Sequence, residues 1–302
     1  MALSLFAAAT ALAFDSAEWH ERREVLLREA ERLQAAYSNC LASAQEPAED
    51  IKVPVETFPD GSVRTVVAAR RARFFMSSGL IWAEGVVIQK FAPDGSEESR
   101  IDAASCVVDR TTKSGWAEGP ARVRNGGTTF RGSGVYFSSP ESYVRVFRDS
   151  EIDSTDLDLG EGGQCRRLRV RSAMSDIDRN TGVVLQEGDV EVEHSDGYWL
   201  RADRAYMFLT ASNELSRVVA SGNVVLTNAT RSATCPLATY RRARREVEMF
   251  GDGDGSYARL VEGGAERREL EGRRIRFWLD TEQVEVDAPR ITVGKTGGEA
   301  GK

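Results

Sequence analysis

The chain has 302 residues, of which 41% are hydrophobic and 29% are charged, a composition typical of a globular protein with one or two domains. Its 40 basic and 47 acidic residues give a formal net charge of -7, which argues against the concentrated positive field that attracts nucleic acid. Only two histidines occur, His20 and His194, so a metal site built from a histidine cluster is nearly excluded.

The first thirteen residues, MALSLFAAATALA, are apolar and end in Ala-Leu-Ala, which resembles a signal-peptidase site although no Lys or Arg precedes it. Two interpretations stay open: residues 1–14 are the remnant of an export signal, or they are the apolar start of the next helix. Thirteen residues are too few for a bilayer crossing, which takes about 20. A membrane anchor would therefore require residues upstream of Met1.

Residues 15–46 carry apolar side chains at helical spacing, with charged residues between them. This pattern predicts an amphipathic helix whose apolar face packs on the rest of the protein. The residues expected on that face are Trp19, Val25, Leu26, Ala30, Leu33 and Ala36.

From residue 47 onwards the sequence consists of short alternating runs separated by Gly, Asp, Asn and Ser, which is typical of an all-β protein. The run LRADRAYMF, which begins at residue 200, has six counterparts, beginning at residues 67, 101, 130, 168, 233 and 270. Each of the seven copies is followed by a turn and a second strand. A unit this short cannot bury its own apolar face, so the copies must stack and share one interior.

In five copies the second strand contains a glycine at the same place. These glycines are Gly85, Gly119, Gly188, Gly222 and Gly251, and the other two units, the third and the seventh, carry Arg148 and Ala288 there instead. We interpret this position as a corner at which a strand passes from one sheet to a facing sheet, because glycine permits the bend or bulge.

Gly85, Gly119 and Arg148 map onto Gly188, Gly222 and Gly251 with a constant offset of 103 residues, which indicates a tandem duplication. We therefore predict one β-module over residues 47–153, a Gly- and Asp-rich seam over 154–164, a second β-module over 165–294 and a disordered tail over 295–302.

One segment resembles a calcium loop. In DIDRNTGVVLQE, the oxygen-bearing residues Asp176, Asp178, Asn180 and Glu187 have the spacing of such a loop, but the required glycine is displaced by one position. We favour a polar turn between two strands. No phosphate-binding loop, nucleophile elbow or dinucleotide fingerprint is present, so the sequence predicts neither an enzyme nor a cofactor.

The four cysteines have no close pair and no zinc spacing. Cys106 and Cys235 fall four repeats apart, which at about 4.8 Å per strand exceeds the roughly 7 Å limit for a disulfide. Both are expected to be buried free thiols, whereas a bond between Cys40 and Cys165 stays open. Arginines are frequent at outward strand positions, where we favour a solvated face over contacts with a ligand's phosphates or sugar acids; they are Arg70, Arg71, Arg201, Arg204, Arg273 and Arg274.

The stretch LRADRAYMF…VVASGNVVLTNATRSATCPLATYRRARREVEMFG resembles the periplasmic lipopolysaccharide-transport superfamily, which includes LptA, LptC and OstA-like domains. The similarity is strongest over residues 165–294 and weaker over 58–150. The resemblance implies a taco-shaped β-jelly roll of two antiparallel sheets around an apolar groove. It also implies a periplasmic location, with inner-membrane association left open, a lipopolysaccharide or related acyl lipid as ligand, and edge-to-edge stacking with other Lpt-type modules.

The inward strand positions then become candidates for the lining of the lipid groove. They are Phe74, Val86, Ile88, Val108, Phe137, Val190, Val192, Leu200, Met207, Val224, Leu226, Tyr240 and Phe277. Two other functions remain open. One is a scaffold β-solenoid that recruits envelope proteins through its sheet edges without binding lipid. The other is a carbohydrate-active β-helix enzyme, which would need an acidic cluster on one sheet face.

Overall fold

The computed structural model describes residues 17–155, 167–195, 197–210, 214–252, 255–263, 268–279, 281 and 283–289. The described residues include one α-helix, α1 (Ala17–Leu41), and a short 3-10 turn at Arg242–Arg244. The strands are β1 (Ala48–Thr57), β2 (Val63–Phe75), β3 (Leu80–Phe91), β4 (Glu97–Asp109), β5 (Ser114–Asn125), β6 (Thr128–Ser138), β7 (Tyr143–Ser154), β8 (Leu168–Ser172), β9 (Met174–Asp178), β10 (Val183–His194), β11 (Trp199–Leu209), β12 (Leu215–Thr227), β13 (Arg231–Arg241), β14 (Glu246–Phe250), β15 (Ala258–Glu262), β16 (Arg268–Trp278) and β17 (Val284–Pro289).

The strands form one continuous antiparallel meander in which each strand pairs with the next. Strands β8 and β9 are two halves of an interrupted strand, since both pair with β7 and with β10. Strands β14 and β15 are related in the same way between β13 and β16. Each of the seven sequence repeats corresponds to one hairpin of this meander. The all-β class with an N-terminal helix is confirmed.

The recurrent glycines lie where the strands bulge. The register between β10 and β11 shifts after Glu187, and the register between β12 and β13 shifts after Ser221. Gly188 and Gly222 follow these two residues with φ angles of 77° and 74°, in the left-handed region that glycine tolerates best. The interpretation of the glycine as a corner is confirmed at these positions.

The bulges divide the long strands into two facing wings. We call wing A the described residues within 71–84, 105–117, 133–148, 174–187, 204–221, 237–250 and 274–287. We call wing B those within 48–69, 86–103, 120–131, 149–172, 190–202, 224–235 and 258–272. Apolar side chains of the two wings pack against each other, as Ile152 and Val170 of wing B do with Ile177 and Val184 of wing A.

Hydrogen bonding continues past the predicted seam, because β7 pairs with β8 and β9, which in turn pair with β10. Ser154 ends β7, and residues 156–166 lie outside the described part of the chain. The predicted remnant at 1–14 and the predicted tail at 295–302 lie outside it as well. The tandem arrangement of two modules is compatible with the matching hairpins and stays a prediction.

Helix α1 lies across the outer face of wing A. Its C-terminal half packs on aromatic residues of β3, β5, β6 and β7, and its first turn places Trp19 on Val183 and Leu185 of β10. A 25-residue helix is about 37 Å long, and eight interstrand spacings, from β2 to β11, measure about 38 Å. The helix therefore bridges the predicted junction between the modules. Val25, expected on the apolar face, is instead 61% exposed, because the neighbouring Leu26 is the residue of this helical turn that packs on the sheet.

Arginines of α1 bind carboxylates that the sheet buries. Arg23 contacts Asp176 at 2.9 Å and Glu187 at 2.7 Å, and Arg22 contacts Asp178 at 2.8 Å. Asp176 also receives Arg145 at 2.7 Å. Three carboxylates of the calcium-loop pattern are therefore partners of helix arginines, while the backbone N–H of Asn180 donates to the carboxylate of Asp178 in a turn. The preference for a polar turn agrees with these contacts.

The cysteines in the described residues are free thiols. Cys106 and Cys235 are buried on the inner face, as expected, and burial raises the pKa of each to about 12. Cys40 is buried at the end of α1, and Cys165 lies outside the described residues. The expectation of two inert thiols in the core is confirmed.

We expect Arg23→Gln to lower the free energy of unfolding by about 2 kcal/mol, because it leaves Glu187 and the buried Asp176 with fewer partners. Burial disfavours the charged guanidinium, yet Asp176 and Glu187 together raise the pKa of Arg23. Arg28→Gln, on an exposed position of the same helix, is the matched control and should change stability by less than about 0.5 kcal/mol. If urea unfolding gave equal losses of stability for the two variants, the ion pairs of Arg23 would not stabilise the fold.

We expect Gly188→Ala to destabilise the protein by about 2 to 3 kcal/mol, since it combines a left-handed φ with a steric contact. An added Cβ would lie 2.8 Å from the Cβ of Ala173 across the bulge. Gly61→Ala separates the two causes, because Gly61 has a φ of 86° with nothing within 4 Å of the added atom. In thermal unfolding, the melting temperature of Gly188→Ala should be clearly lower than that of Gly61→Ala. The reverse order would show that the bulge tolerates a side chain.

Candidate functional site

The space between the wings contains an apolar cavity in the second half of the chain. Its volume is about 160 Å³, comparable to a cavity of roughly 150 Å³ that holds a benzene molecule. Strands β8 and β10 to β16 supply the walls, through residues that include Leu168, Val170, Val192, Ala205, Met207, Leu215, Val218, Ala220, Leu226, Ala233, Val247, Leu260 and Phe277. Polar and aromatic residues at the strand ends, among them His194, Tyr198 and Trp199, complete the lining.

A second and larger cavity of about 740 Å³ lies where β6 to β10 meet, between the free ends of the two wings. Its apolar wall is formed by Phe130, Ile152 and Val170 from wing B and by Ile177, Val184, Met207 and Leu209 from wing A. Its rim is polar and includes Asn125, Thr128, Arg179, Asn180 and Glu214. Val170 and Met207 line both cavities, so the two spaces adjoin. Together they form an apolar trough, a name we keep for these two adjoining cavities.

The structure places six of the thirteen predicted groove residues in the wall of the first cavity. These are Val192, Leu200, Met207, Leu226, Tyr240 and Phe277. Val190 and Val224 are fully buried in the neighbouring apolar clusters, where they support the wall. Inward alternation along β10 to β16 therefore placed these residues on the sheet face that lines or supports the cavity, and their role in a lipid groove stays a prediction.

The five predicted residues of the first half lie apart from the trough. Val86, Ile88 and Val108 belong to an apolar cluster built on alanines such as Ala72 and Ala83. Phe74 is 37% exposed near the end of β2. Phe137 lies over Gly115, where an added Cβ would come within 2.3 Å of its ring. The alanines bring the wings close together here, so Val86, Ile88 and Val108 fill an interior instead of lining the trough.

Sequence reasoning missed several wall residues because they are small. Ala205, Ala220, Ala233 and Ala238 line the first cavity, and space between the wings exists there because these side chains do not fill it. For Ala205 and Ala238 a signal was available, because each lies two positions along its strand from a predicted groove residue, Met207 and Tyr240, and so points to the same sheet face. Size alone did not reveal whether an alanine allows close packing, as Ala83 does, or leaves a void.

The outward arginines pair with carboxylates on the sheet. Arg70 and Arg71 both bind Glu84, Arg204 binds Glu187 at 2.8 Å, and Arg274 binds Glu248. The weakest pair joins Arg201 to Asp189 at 3.7 Å. Five of the six singled-out arginines thus have acidic partners, which agrees with a sheet-face role for them.

The outer face of wing A in the second half carries a buried acidic pair, Glu246 and Glu248. Arg241 and Arg276 contact both carboxylates, and Arg274 contacts Glu248. Burial opposes ionisation of Glu248, but the hydrogen bond from Arg274 and the charge of Arg241 hold its pKa below the ordinary value. Neutralised in this way, the pair is unlike the free acidic cluster that a carbohydrate-active enzyme would require.

Within the part of the chain that the structure describes, no group of three or more His, Cys, Asp or Glu side chains is placed to hold a metal ion. Among the same residues, no helix combines the length and the apolar character that a bilayer crossing needs.

Comparison with known proteins adds a family match. Residues 169–283 match the family model described as LptA/(LptD N-terminal domain) LPS transport protein. The matched segment, which is less than half of the chain, is similar to the LptA/LptD N-terminal domain family. It runs from β8 to the turn before β17 and contains the lining residues of the first cavity except Leu168. The resemblance identified from the repeat motif is confirmed.

Among solved structures, the chain is similar to LptH, described as the LptA homologous periplasmic component of the conserved lipopolysaccharide transport device from Pseudomonas aeruginosa. The identity is 16% and the TM-score is 0.35, and the match covers 40% of this chain and 82% of LptH. None of the curated proteins compared with the chain matches it.

We expect Val218→Phe to weaken binding of N-phenyl-1-naphthylamine, an uncharged apolar dye, by about tenfold. The added ring fills space in which the ligand would bury roughly two methylene groups, and each buried methylene contributes about 0.8 kcal/mol to the free energy of binding. Val225→Phe is the matched control, since Val225 is also half-buried on β12 but pairs with Arg201 and Thr234 on the other face. Fluorescence titrations that give equal losses for both variants would mean that the dye binds outside the trough.

Proposed function

We propose that the protein binds the acyl chains of lipopolysaccharide or a related lipid in the trough and serves as a lipid-conducting bridge component in the periplasm. The observation that carries the proposal is the coincidence of two features: an apolar trough open between two wings, and a segment similar to the LptA/LptD N-terminal domain family that forms nearly all of the first cavity's wall and part of the second's. Neither feature alone specifies a ligand.

The chemistry of the trough suits an acyl chain. Its walls are alkyl and aromatic side chains, and they bind by removing apolar surface from water, without direction or charge. Each buried methylene contributes about 0.8 kcal/mol, so even a short length of chain binds appreciably. The polar rim of the larger cavity lets a headgroup stay in water while its chain lies between Ile152 and Val184.

The ends of the sheet suit a bridging role. Among the described strands, β1 pairs only with β2, and β17 pairs only with β16, so each presents an edge on which a like strand can continue the ladder. Strand β1 is largely exposed and carries Val53 and Val55, which are 45% and 53% exposed. A partner module of the same fold would cover these valines and extend the inner face.

The two wings also account for how a lipid could enter and leave. The larger cavity lies between free strand ends, where Asn180 and Gly182 of wing A face Asn125 and Thr128 of wing B. Because the sheet is closed only along the bulge line, a chain can enter sideways. A lipid passing along the trough therefore need not be threaded from one end.

We expect a photoreactive p-benzoylphenylalanine at Met207 to crosslink an acyl lipid in cells, because this side chain lines both cavities. The same group at Arg201, an exposed outward position on β11, is the control and should give no lipid adduct. Mass spectrometry of the purified adducts would identify the lipid, and cell fractionation would locate the protein.

Absence of a lipid adduct at Met207, in protein shown to be folded, would contradict lipid binding. It would favour the alternative of a scaffold that recruits envelope proteins through its sheet edges. The specific result expected of the scaffold is that the photoreactive group crosslinks another protein when placed at Val53 and crosslinks no lipid when placed at Met207.

A further inference from the structure

A small polar cluster interrupts the apolar lining near the bulge line where the predicted modules meet. Ser150, Ser172, Ser175 and Gln186 are all buried in the interior between the wings. Ser150 Oγ donates to Ser175 Oγ at 2.9 Å, and Ser172 Oγ lies 2.6 Å from Gln186 Oε1. Gln186 lines the first cavity together with Ala205 and Met207.

Gln186 has an unsatisfied polar group. The residue is completely buried, and among the described residues its Nε2 has no hydrogen-bond partner. Ser172 Oγ also lies 2.8 Å from the carbonyl oxygen of Met174, and a hydroxyl has only one proton to donate. If Ser172 donates to that carbonyl, the amide of Gln186 turns over to donate to Ser172, which leaves Oε1 unpaired instead. In both orientations one end of the amide lacks a protein partner.

The first half of the chain provides an internal comparison. The offset of 103 residues maps Ala72 onto Ser175 and Ala83 onto Gln186. The structure supports this equivalence, because Ala72 pairs with Ala83 between β2 and β3 as Ser175 pairs with Gln186 between β9 and β10. Both alanines are buried in an apolar cluster. The fold therefore does not require polar side chains at these positions.

A buried amide without a partner is costly, and such groups are rare in proteins. An apolar residue of similar shape would remove this cost, and alanine already occupies the equivalent site. The polar group is retained beside the cavity in which we propose that lipid binds. This combination points to a ligand that completes the hydrogen bond.

We propose that Gln186 hydrogen-bonds an oxygen of the bound lipid, a hydroxyl or a carbonyl, and so makes the trough prefer oxygen-bearing acyl lipids over plain hydrocarbon chains. The inference rests on the proposed function and specifies the ligand class of the same site. A hydroxyl satisfies Gln186 in both amide orientations, because it donates and accepts. A carbonyl satisfies the orientation in which Nε2 faces the cavity.

Two pairs of probes test the proposal on the full chain. Monomyristoylglycerol and its alkyl ether differ in one carbonyl, and hydroxystearic acid and stearic acid differ in one hydroxyl. For wild type, we expect the member with the additional carbonyl or hydroxyl to bind roughly three- to tenfold more tightly in at least one pair, as one ordinary hydrogen bond gives. The pair that shows the preference identifies the oxygen. Displacement of a fluorescent fatty acid supplies the dissociation constants.

The variant Gln186→Met keeps the length of the side chain and removes its polarity. We expect it to bind both members of each pair equally, with a melting temperature equal to or above that of wild type, since an unpaired buried amide is removed. Gln89→Met is the control for the substitution. Gln89 lies outside the trough and donates a hydrogen bond of 2.7 Å to Glu97, so its replacement should leave the preference intact.

The outcomes separate the inference from the proposed function. If wild type binds none of the four probes, lipid binding itself fails and the inference fails with it. If wild type binds them without preference, or Gln186→Met keeps the preference, the role of Gln186 is overturned while lipid binding stands. A lower melting temperature for Gln186→Met with unchanged preference would assign Gln186 a purely structural role.

Discussion

The fold depends on one constraint: a repeat of about 34 residues cannot bury its own apolar face and must share an interior with its neighbours. Here the strands meet this constraint by bending at a bulge, so that each hairpin contributes to both wings. The left-handed backbone at Gly188 and Gly222 is the local condition for that bend. Once every hairpin bends along the same line, an interior between the wings follows, and its contents depend only on the inward side chains.

Differences in those side chains divide the interior into regions with different roles. In the first half, Ala72 and Ala83 allow the wings to pack closely. In the second half, Ala205 and Ala220 line a cavity that their small side chains do not fill. The same backbone thus supplies a packed interior and an open one within a single sheet. Function in such a fold is set by side-chain volume and polarity along the trough, which is why one glutamine among alkyl groups is informative.

Much of the fold could be predicted from the sequence because it is periodic. Alternating apolar residues predicted the strands, and the recurrent glycine predicted the bend. Apolar residues at helical spacing predicted α1, which begins at Ala17 and ends at Leu41. The family resemblance followed from the same repeat. The extent of the open trough could not be predicted, because it depends on whether small residues such as Ala220 meet other small residues across the wings. That is a property of the packed structure.

Buried charge was equally hard to foresee from local patterns. Asp176 and Asp178 look like a polar turn in the sequence, and their partners Arg22 and Arg23 lie more than 150 residues away on the helix. Long-range pairing of this kind leaves no periodic signal. The sequence showed charged residues between the apolar positions of α1, and only the fold shows which of them bind the sheet.

The length of α1 has a consequence for how such a protein can change in evolution. The helix contacts the sheet near Arg73 at one end and near Tyr206 at the other, and its 25 residues match the width of the strands in between. Insertion of one more hairpin there would widen that span by roughly 10 Å, or about six or seven helical residues. The length of the helix therefore limits the number of hairpins beneath it, whereas a hairpin added outside the span from Arg73 to Tyr206 would leave the required helix length unchanged.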